Sequence, residues 1–180
     1  MMFPFRYFKF PVKLDFQAER VLPEIEVTDH SNFSIGDERL VLNTRLKVNV
    51  TKAGVFELKL NIPDKYEIET LTAGGMSHWD EVKTIKSRHV ILYFKNRLKG
   101  QVLVNAVMLK STERKSGVIV VPALHFDKEK KHRGELVVSA EQGNRLEVKE
   151  KSGIGAMSLV SDGVMTFSIL KKDWQISLTR

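Results

Sequence analysis

Residues 39–62 read RLVLNTRLKVNVTKAGVFELKLNI, and apolar and polar side chains alternate through them almost without a break. Leu40, Leu42, Leu46, Val48 and Val50 share one phase of the alternation, while Arg39, Asn43, Arg45, Lys47 and Asn49 share the other. That is a strand with one wet face, because successive side chains of an extended chain point to opposite sides. Thr51-Lys52-Ala53-Gly54 interrupts the pattern, and Phe56, Leu58, Leu60 and Ile62 resume it against Glu57, Lys59 and Asn61. The spacing predicts a β-hairpin with glycine in its turn. Pro63 ends it, since proline has no amide hydrogen to give to a ladder.

The same period extends outward in both directions. Phe8, Phe10, Val12, Leu14 and Phe16 alternate with Lys9, Lys13, Asp15 and Gln17, predicting a long first strand, and Pro23 to Thr28 predicts a second with Ile25 and Val27 inward. Ser34 to Glu38 reads as loop. Further strands are predicted at Tyr66–Thr72, Val90–Phe94, Val102–Met108, Glu135–Ala140, Arg145–Glu150, Ala156–Val160, Val164–Leu170 and Trp174–Leu178. The apolar run Val118–Val121 predicts a strand buried on both faces. Asp162-Gly163 between apolar stretches is a two-residue hairpin signal. About a dozen short strands with turn signals between them, and almost no helical period, predict an all-β fold. The expected architecture is two antiparallel sheets packed as a sandwich, immunoglobulin-like or larger, with an open barrel as the arrangement sharing these periodicities.

A chain of 180 residues with 42% hydrophobic and 28% charged residues has the composition of one globular domain, residues 1–180, and lies far from that of a disordered chain. The net charge of +7 favours anionic surroundings, although two lysine-rich segments, one with Lys110, Arg114 and Lys115 and the other with Lys128, Lys130, Lys131, His132 and Arg133, read as solvated hairpin tips. No aromatic residues interleave them, so nucleic acid is not an expected partner. The absence of cysteine excludes disulfides, thiolate metal sites and a cysteine nucleophile. No apolar run reaches the roughly 18 residues of a membrane-spanning helix, and the first residues lack the continuous apolar core of a signal peptide.

Two features suggest a module from a longer chain. Phe5–Phe16 and Phe167–Leu178 share a pattern, with a lysine at Lys9 and Lys171 followed by alternating apolar residues, as tandem modules do. The leucine-alternating stretch also ends in Leu58-Lys59-Leu60-Asn61-Ile62-Pro63, and in this it resembles uncharacterised β-sandwich segments of large modular bacterial cell-envelope proteins. The resemblance implies a bacterial cell-envelope setting and no activity.

Chemistry-bearing motifs are few. His30, His78, His89, His125 and His132 do not share a strand face or helix turn, although His125 and Asp127 have same-face spacing that could join a third ligand in a metal site. There is no Gly-x-Ser-x-Gly elbow, and Gly153-Ile154-Gly155 opens no helix, so a catalytic site and a cofactor are not expected. The most suggestive segment is Ala73–Asp80, where Trp79 offers a stacking ring and His78 and Asp80 offer polar neighbours. The alternative for Trp79 is a core cap; Trp174, alternating with Ile176 and Leu178, reads as core. The expected function is a non-enzymatic structural or interaction module of a bacterial surface or periplasmic protein, contacting neighbouring modules or another protein. The alternative is a carbohydrate-binding module that holds a glycan on Trp79, His78 and Asp80.

Overall fold

The computed structural model describes residues 15–85, 87–112, 117–141, 146–161 and 163–179. Twelve strands lie among them: β1 (Glu24–Ile35), β2 (Arg39–Asn61), β3 (Glu67–Ala73), β4 (Met76–Lys83), β5 (Arg88–Ser111), β6 (Val118–Val121), β7 (His125–Phe126), β8 (Glu129–Ala140), β9 (Glu147–Ser152), β10 (Ile154–Ser161), β11 (Val164–Ile169) and β12 (Gln175–Thr179). The fold is all-β, with two sheets, as the alternation predicts.

The larger sheet runs β10-β11-β8-β1-β2-β5-β3, with β4 also on β5 and β7 also on β2; the smaller runs β6-β12-β9. All described pairings are antiparallel except β1 with β8. Inward phases of both sheets join in one core that includes Phe33, Leu92, Phe126, Leu136, Phe167, Trp174, Ile176 and Leu178. Burying each such side chain contributes on the order of 1.5–3 kcal/mol before chain entropy is subtracted.

The hairpin predicted at residues 51–54 does not form. β2 passes straight through that segment and remains paired with β5, with Val50 facing Gly100 and Leu58 facing Leu92 in one unchanged register on both sides of a shared irregularity. Lys52 (φ 61°) and Gly100 (φ 97°) take up the distortion. Gly54 marks a close crossing instead of a reversal, since a Cβ there would come within 2.9 Å of the Leu98 carbonyl oxygen. Turn-forming residues have produced paired bulges in two long strands.

Other elements adjust the expected pattern. Asp15 and Phe16 are outside any strand and Phe16 is exposed; the rest of the predicted first strand, and the first half of the similarity between the ends, fall outside the described residues. β6 is an edge strand, so Val118 and Val120 are about half exposed and only Val121 is fully buried, contrary to the two-sided burial expected of an apolar run. β6 ends before Pro122, and Gly163 (φ 81°) turns β10 into β11 where the Asp-Gly signal lies. No helix among the described residues is long and apolar enough to cross a membrane.

Candidate functional site

The Ala73–Asp80 segment does not reverse the chain: β3 and β4 follow one another along β5, both antiparallel to it, and are interrupted only at Gly74-Gly75, with Gly75 at φ 72°. His78, Trp79 and Asp80 all belong to β4. Trp79 pairs with the buried Leu92 of β5 and packs against the core, half-buried. His78 and Asp80 point to the opposite, exposed face, as neighbours on a strand must. His78 stacks on Tyr93 at 4.7 Å between ring centroids and 17° between planes, and its Nδ1 lies 2.9 Å from the Ser77 hydroxyl. The three side chains therefore divide between two faces and do not converge on one platform.

Asp127 accepts a hydrogen bond from Asn61 Nδ2 at 2.7 Å and pairs with Lys59 at 3.1 Å. Those contacts, and not a metal, explain its placement next to His125. Among the described residues no group of three or more His, Asp and Glu side chains could hold a metal ion.

The most organised polar cluster was not anticipated. Residues 129–133 are not a solvated hairpin tip: Lys128 (φ 60°) makes the turn, and Glu129 and His132 enter β8 with buried side chains. His132 Nε2 lies 3.2 Å from Asp29 Oδ2 and its Nδ1 lies 3.1 Å from Glu129 Oε1. Ser31 donates to Asp29 Oδ1 at 2.6 Å and meets the Thr44 hydroxyl at 2.8 Å, while the Phe126 amide donates to Glu129 Oε2 at 3.2 Å. Burial alone would push the imidazole pKa down; hydrogen bonds to Asp29 and Glu129 outweigh it and raise the value to about 9. His132 is therefore an imidazolium between two carboxylates at neutral pH.

This cluster sits across the one parallel pairing among the described strands. Asp29 lies opposite Gly134, and a Cβ on Gly134 would fall 1.8 Å from the Asp29 carbonyl oxygen. Only glycine permits β1 and β8 to approach so closely there. The cluster contains Ser, His and Asp, yet it is not a hydrolytic triad. Ser31 donates to Asp29 and not to the imidazole, so His132 cannot take its proton, and all three side chains are closed off from solvent. Its chemistry is that of a charged clamp.

A signal for it exists in the sequence. The inward phase of β1, Ile25, Val27, Phe33 and Ile35, is broken by Asp29 and Ser31, and that of β2 is broken by Thr44 between Leu42 and Leu46. Polar residues on a buried phase require partners on adjoining strands. Elsewhere, Lys52 and Lys130 converge on Glu24 and hold its carboxyl down at about 2.

No protein family model matches the sequence, and no curated protein matches it. Solved structures do. An M1 zinc metallopeptidase from Deinococcus radiodurans, solved also with a Tyr-Ser-Ala substrate, superposes with a TM-score of 0.55 at 9% identity over 87% of this chain and 42% of that one. A yeast LTA4 hydrolase gives a TM-score of 0.56 at 10% identity over 87% of this chain and 29% of that one. At such identity the likeness is one of fold, and the chain spans less than half the length of these enzymes. It nevertheless corrects the functional expectation. The sandwich is shared with parts of peptidases and hydrolases, which displaces the reading as a structural module of a bacterial surface protein and its carbohydrate-binding alternative.

Proposed function

We propose that this chain is a non-catalytic β-domain that works beside a zinc peptidase domain of the M1 kind. The observation that carries the proposal is the superposition over 87% of this chain but only 42% of a metallopeptidase that related structures describe as two-domain. The residues favour an accessory role within such an enzyme. Zinc peptidase sites use three protein ligands, commonly with two histidines four apart on a helix. The five histidines here include no such pair. The only imidazole between carboxylates, among the described residues, is sealed and bonded through both nitrogens.

The test has two arms. The purified chain is assayed for bound zinc and for hydrolysis of Tyr-Ser-Ala, and the tagged native protein is recovered from its source cells and mapped by peptide mass spectrometry. The proposal expects neither stoichiometric zinc nor turnover from the isolated chain, and a zinc peptidase domain either continuous with it or bound to it in the native material. Turnover by the chain alone, or native material without such a domain, overturns it.

A further inference from the structure

We infer that the recess between the start of β8 and the turn after β11 is a binding site for a phosphate group. Two segments separated by some forty residues of sequence meet there: Lys130, Lys131 and Arg133 from β8, and Lys171 and Lys172 from the turn, around a cavity of about 310 Å³. Lys130 is committed to Glu24. No carboxylate among the described residues lies within ion-pairing distance of Lys131, Arg133, Lys171 or Lys172, although Glu26 faces Lys131 across the ladder and Asp173 also lines the cavity. Glu129 also lines the recess, but its carboxylate is turned inward to His132 and the Phe126 amide.

Two structural details make this more than a lysine-rich surface. β11 leaves β8 at Ile169, opposite Gly134, so among the described residues no strand pairs with β8 at residues 131–133 on that side. The stem of Lys171 also crosses Gly153 so closely that a Cβ there would lie 2.7 Å from Lys171 Cε, so the glycine leaves room for the lysine to pass along the recess. The cavity can admit one or two phosphate groups, and multiple cations favour the higher charge of a diphosphate. The one aromatic ring among its lining residues, the His132 imidazole, is buried between Asp29 and Glu129, which disfavours a site built to stack a nucleobase.

The experiment is a calorimetric titration of the purified chain with inorganic phosphate and pyrophosphate at constant ionic strength, alongside Lys171→Glu/Lys172→Glu and Arg133→Gln. Saturable pyrophosphate binding is expected, weakened by about tenfold or more in the double variant, equivalent to about 1.4 kcal/mol. The melting temperature without ligand should be unchanged in both variants. Co-sedimentation with phosphatidic acid vesicles, lost in the double variant, would assign the phosphate to a lipid headgroup; pyrophosphate binding without co-sedimentation would assign it to a soluble ligand. Absence of both, or equal binding by wild type and double variant, overturns the site.

Discussion

His132 and His78 occupy strands of the same larger sheet, and each is next to charged or polar residues in sequence, yet they meet opposite fates. His132 lies on the inward phase of an interior strand, between Asp29 and Glu129, with its side chain wholly removed from solvent. His78 lies on the outward phase of β4, exposed, with Tyr93 beneath it. An imidazole on a wet face can be replaced by water and neighbouring side chains. One between buried carboxylates cannot, because its removal leaves charge in a medium that solvates it poorly. Strand phase and register, more than local composition, decide which histidine matters.

The comparison can be broken most severely at Gly134. Gly134→Ala places a methyl group against the Asp29 backbone, which cannot yield as a flexible side chain would. A loss of more than about 4 kcal/mol, or failure to fold, is expected by urea denaturation and circular dichroism. His132→Leu comes next. It fills the volume but leaves Asp29 and Glu129 without their shared cation, and should cost about 3–5 kcal/mol at pH 7.

The pH profile sharpens the same contrast. The folded pKa of His132, about 9, lies above the ordinary 6.5, so its contribution is complete below about pH 6.5 and is lost as pH rises through about 9. The shift corresponds to roughly 3 kcal/mol. Urea midpoints should fall across that window in the wild type and show a much smaller fall in His132→Leu. At the other end of the scale, His78→Ala should change stability by no more than about 0.5 kcal/mol, since it removes one exposed ring contact.

Much of the fold was legible because alternation is written residue by residue. Ile25 and Val27, the strand from Val164, the Asp-Gly turn and the burial of Trp174 all follow from period and turn chemistry, whereas the two strands predicted at Val90–Phe94 and Val102–Met108 are one, β5. Thr51–Gly54 misled because a turn and a paired bulge use the same residues, and only the matching irregularity in β5 separates them. Val118–Val121 misled because apolar runs do not reveal whether a strand lies at an edge.

The polar clusters were less legible for a related reason. Asp29, Ser31 and Thr44 could be found as breaks in an inward phase, but their union with His132 depends on a parallel pairing between strands about a hundred residues apart. Trp79, His78 and Asp80 are adjacent in sequence and divided in space by the strand they form. Lys130–Arg133 and Lys171-Lys172 are distant in sequence and share one recess. Proximity along the chain was a poor guide to both.

The account rests on the Asp29–His132–Glu129 cluster being a structural clamp and not a reactive or metal-binding centre. A histidine ring NMR titration of the wild-type protein, with His132→Leu to assign the signal and a parallel titration with zinc, tests this directly. The predicted result is a His132 resonance that titrates near pH 9 and is unmoved by zinc. Titration near the ordinary value of about 6.5, or a zinc-dependent change in that resonance, would contradict it.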